Sequence, residues 1–433
     1  QSRKVRSESE LQTHLQAPKL NRHLDLGDVS ASNTAHFVSA LNEDVQGIQV
    51  DFDDGHCPTW GNQLLAYNNI GLAVNGKLQG APMSLFDTNS GPYFYLSKLE
   101  GSTEAKLWND VFIWTQNELG LPQGSIKACV LIENIVSTFE LDEILYALRE
   151  HSLGLNCGIW DYCASIIAKF GDRKQYLLPD RNKYVNMERT FLDSYLRLVV
   201  ATCHARGAPA TGGMAALVIK PGSDGTDKES KVIINKVLEA KLKEIERGVD
   251  GFMVYDTRIV PYVNELWKKN GSTPNQIQRQ FDFNITPQDL LLIPTGGVTL
   301  QGLRHNVAIT ILFIYYWLAG IGHFFYSGNV EDSATAEISR SQIWQWIRFS
   351  AQLEDEPNQK VTAKLVEKKA SSFAAHAHKN LCRSNAERKR LTAARYMSME
   401  LFLSRNPPEF ITTYLNDNHK FRTLHNKALL SNL

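Results

Sequence analysis

The chain has 433 residues, with 46 Lys and Arg balanced by 46 Asp and Glu, and 43% of it is apolar. That length allows two to three domains, and the composition is that of a globular protein rather than a disordered one. A formal net charge of zero gives no reason to expect nucleic acid or an anionic membrane surface as partner.

Residues 1–35 are polar and read as a short N-terminal helical segment without a strong strand. Beginning at Gln1 rather than Met, the chain is expected to have further residues ahead of it. Strands and helices then alternate. Residues 47–51 and 92–96 read as strands, and 104–119 as a helix. Residues 126–133 and 153–161 are apolar runs that each close on an acid, Glu133 and Asp161, with an amphipathic helix at 141–151 between them. Helix 191–206, strand 208–214, helix 228–247, strand 251–255 and helix 261–269 follow. Apolar strands separated by helices imply a parallel sheet covered by helices. About six such strands leave a barrel and a doubly wound sheet both open on pattern alone. Carboxylates at the ends of several strands are how a (β/α)8 barrel builds a site. Two carboxylates from neighbouring parallel strands can share one Mg²⁺, which completes its octahedron with water and substrate oxygens.

Past residue 285 the alternation stops, and the expectation is a helical domain over 286–433, joined through a linker at 271–285 to a barrel over 36–270. Residues 307–326 carry no formal charge and are long enough to span a bilayer. Their glycines, His323 and three tyrosines favour a buried helix running into a loop. The six cysteines contain no CxxC pair, which favours a reducing intracellular compartment. His376 and His378 read as a solvated helix rather than a metal tract. Gly296-Gly297 lacks the Lys-Ser/Thr of a phosphate loop. Ser431-Asn432-Leu433 is only loosely similar to a peroxisomal address.

Longer motifs are more specific. They include Val50-Asp51-Phe52-Asp53-Asp54 with Pro58 and Trp60, Ser90-Gly91-Pro92-Tyr93-Phe94-Tyr95-Leu96 and Leu155-Asn156-Cys157-Gly158-Ile159-Trp160-Asp161-Tyr162. Leu178-Pro179-Asp180-Arg181, Gly212-Gly213-Met214 and Gly328-Asn329-Val330-Glu331-Asp332-Ser333-Ala334-Thr335 follow in order. Together they strongly resemble the A-type malate synthases. The resemblance implies a TIM (β/α)8 barrel with a C-terminal all-helical plug domain. It implies Mg²⁺ as cofactor, acetyl-CoA and glyoxylate as substrates, and malate and CoA as products. By the same resemblance Glu133 and Asp161 are the metal ligands and Asp332 is the base that deprotonates the acetyl methyl group. Backbone N–H groups of Gly158, Ile159 and Trp160 would hold the glyoxylate carboxylate. Asp51, Asp53 and Glu331 would sit behind these groups, the first two orienting metal-bound water. Asp332 also reads, from its neighbours alone, as the start of a helix.

Three departures stand out. Ile159 replaces the Arg usual in the family, and Tyr255-Asp256 replaces a His-Pro pair near the CoA channel. The catalytic Arg is expected between the segments matching 73–77 and 84–87, but the residues from Leu78 to Met83 contain none. A deletion there would remove a barrel strand. A malyl-CoA-type lyase and a catalytically impaired structural module are the competing readings. A peroxisome, glyoxysome or mitochondrion is the expected compartment, with fusion to, or association with, isocitrate lyase as a further expectation.

Overall fold

The computed structural model describes residues 21–82, 92–272, 274–281 and 284–417. They form two compact units. One takes the described residues up to Asp51 together with Leu64–Tyr162 and Leu192–Leu290. The other takes Phe52–Gln63, Cys163–Phe191 and the described residues from Leu291 onward.

The first unit is built on seven parallel strands, β1 (Leu24–Val29), β2 (Gly47–Val50), β3 (Tyr93–Leu96), β4 (Lys127–Ile132), β5 (Ser152–Cys157), β6 (Ala210–Ala215) and β7 (Gly251–Val254). Their order is β2-β1-β7-β6-β5-β4-β3. Each strand lies beside its sequence neighbour, and the first also pairs with the last, Leu24 against Phe252 and Leu26 against Val254. A doubly wound sheet reverses its strand order; this one runs round in one direction and is a nearly closed barrel. The opening lies between β2 and β3. That is where the shortened stretch falls, and residues 83–91 within it lie outside the described residues.

The interleaved helices are α1 (Thr34–Leu41), α2 (Trp60–Val74), α3 (Ser102–Leu119), α4 (Leu141–Ala147), α5 (Ile159–Phe170), α6 (Thr190–Ala205), α7 (Lys228–Glu246) and α8 (Val260–Asn270). β4 and β5 are buried at every position, as strands of a covered parallel sheet must be.

β1 corrects the expectation of no strand before residue 36. Its sequence, Leu-Asp-Leu-Gly-Asp-Val, looks unlike a buried strand, yet all six residues are buried. Asp25 Oδ2 accepts from the Arg22 guanidinium at 2.7 Å and from the Tyr95 hydroxyl at 3.2 Å. A Cβ at Gly27 would stand 2.6 Å from the Met214 sulfur, so any larger residue there would push that side chain aside.

The second unit is helical. Its hub is α9 (Leu300–Trp317), buried on nearly every face and surrounded by α10 (Ser333–Arg348), α11 (Ala363–Asn380) and α12 (Asn385–Leu403), with α13 (Ile411–Asp417) against α10. A helix apolar all round belongs in a core or a membrane. Here it is the core, and no helix among the described residues is long and apolar enough to cross a membrane. A hairpin of β8 (Phe324–Tyr326) and β9 (Asn329–Glu331) leads into α10. Its two-residue turn, Ser327-Gly328, takes positive φ at both positions (50° and 83°), as a type I′ turn requires.

All six cysteines are unpaired and buried. Burial pushes their thiols up, Cys129 to about 11 and Cys57 and Cys157 to about 12. They behave as small apolar side chains, not nucleophiles.

Candidate active site

In the barrel unit, Glu133 directly follows β4. Asp161 does not end β5, as the run 153–161 suggested. β5 stops at Cys157, and Asp161 lies in the first turn of α5, which begins at Ile159. The switch from strand to helix at Gly158 turns Asp161 back toward Glu133, and both are buried, each offering an oxygen within 4.8 Å of the other. A carboxylate in a helix's first turn is also favoured by the helix dipole.

Gly158 makes this approach possible. A Cβ there would lie 3.0 Å from both Cβ and Oε2 of Glu133. The Gly158 N–H donates to the Tyr195 hydroxyl at 3.0 Å, which in turn donates to the Ile132 carbonyl. Tyr195 therefore ties the end of β4 to the turn after β5. Its ring stacks on Tyr162 at 4.1 Å. Ile159 and Trp160 occupy the same turn and are half-buried.

Lys98 is the residue that sequence reasoning missed. It follows β3 with a φ of 57°, a left-handed conformation uncommon outside glycine. Its backbone N–H donates to Glu133 Oε1 at 2.7 Å. Its ammonium lies 3.2 Å from Asp161 Oδ2 and 3.9 Å from Glu133 Oε1. The two carboxylates thus converge on a cation. A hard, oxygen-only donor set, with a glycine where any side chain would intrude, fits Mg²⁺. Lys98 lies 35 positions from Glu133 and carries no local signal beyond its place at a strand end.

Asp51 is buried at the end of β2, its N–H bonded to the Val29 carbonyl at 3.0 Å. Asp53 belongs to the helical unit and is half-buried. The structure thus brings Glu133, Asp161 and Gly158 together in the barrel unit. Asp51 stands at another strand end of that unit.

In the helical unit, the hairpin delivers Glu331 and then Asp332, the N-cap of α10. Asp332 Oδ1 accepts from the Thr335 N–H at 3.0 Å, and Thr335 Oγ1 accepts from the Asp332 N–H at 3.0 Å. This capping box fixes the carboxylate through one of its oxygens. The next residue, Ser333, donates to Asp54 Oδ1 at 2.6 Å.

Glu331 is buried, 3.9 Å from the guanidinium of Arg181. Burial raises the Glu331 carboxyl to about 7, more than Arg181 lowers it. Arg181 is itself buried. It donates to Ser339 Oγ at 3.2 Å and to Asn306 Oδ1 at 3.4 Å, and burial lowers its pKa against the pull of Glu331, Asp180 and Asp332. In the sequence Arg181 is marked only as part of a motif. In the fold it is the cation beside the acids Glu331, Asp180 and Asp332.

The Tyr255-Asp256 departure has a structural use. Asp256 accepts from the Ile219 N–H at 2.7 Å and pairs with Arg258 at 2.6 Å, clamping the loop after β6 to the turn after β7. His376 bonds Asn380, and His378 bonds Thr392.

The malate synthase TIM-barrel domain family matches residues 78–293, and the malate synthase C-terminal domain family matches residues 297–418. The chain belongs to the malate synthase family. A malate synthase of Myxococcus xanthus is 38% identical over 381 residues, covering 76% of this chain and 69% of that protein. The glyoxysomal malate synthase of Candida tropicalis is 34% identical over 439 residues, covering 88% and 78%. A bifunctional glyoxylate cycle protein of Caenorhabditis elegans is 34% identical over 430 residues, 87% of this chain but 43% of that protein. Among solved structures, a Haloferax volcanii malate synthase pyruvate/acetyl-CoA ternary complex matches 91% of this chain at 14% identity, with a TM-score of 0.42.

Residues 78–82 contain no Arg, and Met83, Ser84–Asp87 and Ser431–Leu433 lie outside the described residues.

Proposed function

We propose that this enzyme condenses acetyl-CoA with glyoxylate and hydrolyses the thioester to give malate and CoA. The observation that supports this best is the convergence of Glu133 and Asp161 at the C-terminal ends of neighbouring barrel strands, around a cationic centre.

In this reading Glu133 and Asp161 hold Mg²⁺, which when bound supplies Lewis-acid polarisation of the glyoxylate aldehyde. The Gly158 N–H is engaged by Tyr195, so within this turn the N–H groups of Ile159 and Trp160 receive the glyoxylate carboxylate, an anchor that needs backbone only and so tolerates isoleucine at 159. Asp332 takes a proton from the acetyl methyl carbon. A carboxylate is a weak base for a carbon acid, so the site must hold the reactants at near-attack distance and stabilise the enolate oxygen. The capping box holds Asp332 in one rotamer, which removes the cost of orienting it. Arg181 balances the charge on Asp332 while Glu331 remains partly protonated. Asp51 and Asp53 act on water around the metal.

We also place the protein in the compartment of its glyoxysomal relatives, and read the nematode bifunctional protein as support for a working association with isocitrate lyase.

The test is release of free thiol from acetyl-CoA, with and without glyoxylate and Mg²⁺. Release that needs both, and is lost in Asp332→Asn, supports the reading. A glyoxylate-dependent acyl-CoA product without free thiol identifies a lyase instead. No turnover by folded, Mg²⁺-replete protein rejects the proposal.

A further inference from the structure

The acid pair Glu133 and Asp161 already holds a cation that belongs to the chain. Lys98 offers it two groups. Its backbone N–H donates to Glu133 Oε1 at 2.7 Å, and its ammonium lies 3.9 Å from the same oxygen, so the side chain curls back toward its own backbone. The ammonium also lies 3.2 Å from Asp161 Oδ2. The left-handed backbone at Lys98, with φ 57°, is one that glycine adopts without penalty and lysine does not.

Water dilutes these charges little. The Lys98 side chain is 18% exposed and the two carboxylates 4% and 5%, so the three act on one another at reduced dielectric. Without the ammonium, two buried carboxylates would face each other uncompensated, a strongly unfavourable arrangement. One positive charge thus keeps the pair together when no metal is bound.

The seat of that charge is loose. Its separation from Glu133, 3.9 Å, is beyond hydrogen-bond reach. An ammonium is also a compact point charge on a flexible stem, able to swing away. A hard divalent ion drawn by the same oxygens brings twice the charge. It balances the two carboxylates alone, and the ammonium beside it becomes a surplus positive charge.

We propose that Lys98 is a built-in competitor for the divalent metal. Its ammonium preserves the shape of the empty site and gives up the two carboxylates when the metal binds, so Lys98 lowers metal affinity while stabilising the metal-free protein. Lys98 is then a positioning residue whose backbone N–H stays on Glu133 in both states. This inference rests on the metal role proposed above for Glu133 and Asp161.

The experiment is titration of the metal-free full chain with Mn²⁺, followed by the electron paramagnetic resonance of the free ion, with Mg²⁺ as competitor and no substrate present. A charge about 4–6 Å away changes the proton affinity of a carboxylate by about tenfold to a thousandfold. Lys98→Met should therefore bind either ion at least tenfold more tightly than the unchanged protein. Lys98→Gly retains the N–H and suits the left-handed backbone, so it should tighten binding equally with a smaller loss of melting temperature in EDTA. Lys98→Arg keeps the charge and should bind no more tightly than the unchanged protein. A lysine that only braced the fold would, on removal, loosen the carboxylates and weaken binding, so the sign of the change decides. Saturable binding by the unchanged protein with Met and Gly variants no tighter overturns the competition and leaves the metal assignment standing. Absence of saturable binding in all four proteins rejects the metal assignment, and the competition with it.

Discussion

Asp332 is a helix cap in the structure and the base in the proposed reaction, and the two roles can be separated. Replacing it with Ala removes both the acceptor for the Thr335 N–H and the carboxylate. Loss of an N-cap of this kind costs about 1 kcal/mol, or about 1–3 °C in melting temperature for a chain of this size. Asn keeps an acceptor oxygen where Oδ1 stands and is as good an N-cap as Asp, so Asp332→Asn should stay within about 0.5 kcal/mol of the unchanged protein. Glu331, 3.9 Å from Arg181, remains as that guanidinium's counter-charge in both variants. Neither variant can accept the acetyl proton, and both should lose about 10²–10⁴-fold in kcat. Scanning calorimetry and thiol release on the same preparations give the comparison. Activity retained by Asp332→Asn would refute the catalytic role. A melting temperature for Asn as low as for Ala would refute the account of the cap.

Gly158→Ala places a Cβ 3.0 Å from Glu133 and should weaken Mg²⁺ binding by about tenfold or more, read as loss of the Mg²⁺-dependent rise in melting temperature. Lys98→Met leaves Glu133 and Asp161 facing each other without their cation; it should destabilise the metal-free protein by about 3 kcal/mol, with Mg²⁺ restoring much of the loss, as melting in EDTA against Mg²⁺ would show. Glu331 has a folded pKa of about 7, above the usual carboxylate range, so the folded state binds more protons between about pH 4.5 and 7. Its contribution to stability is therefore complete at low pH and is lost as pH rises through about 7. Denaturation at pH 5.5 and 8 should show this fall, and Glu331→Gln should remove it. Gly154 has a φ of 87°, and a Cβ there would lie 1.8 Å from the Pro209 carbonyl oxygen. Gly154→Ala should cost more than about 3 kcal/mol, through overpacking against backbone and a strained φ together, and soluble yield with melting temperature checks it.

Among the described residues no strand closes the barrel between β2 and β3, the interval in which the arginine was expected and in which residues 83–91 are not described. The alignment to the Myxococcus protein spans 381 positions yet takes in 76% of this 433-residue chain, so that relative carries residues with no counterpart here.

The sequence by itself determined β4, β5, the helix between them and Glu133, because strands buried on both faces must be continuous apolar runs. It also determined α9 as a core helix, since an apolar helix broken by polar residues at its end finds its solvent in other helices. Tertiary structure alone decided the rest. β1 was hidden because the buried Asp25 bonds Tyr95, 70 positions away, and Gly27 packs against the Met214 side chain. Asp161 was legible as an acid near the end of an apolar run but not as part of the first turn of a helix, where the chain turns at Gly158 close against Glu133. Lys98 and Arg181 had no local signal, because a cation's role depends on which carboxylates the fold brings to it. Local periodicity records which face of an element is buried; it does not record which distant charge that face will meet.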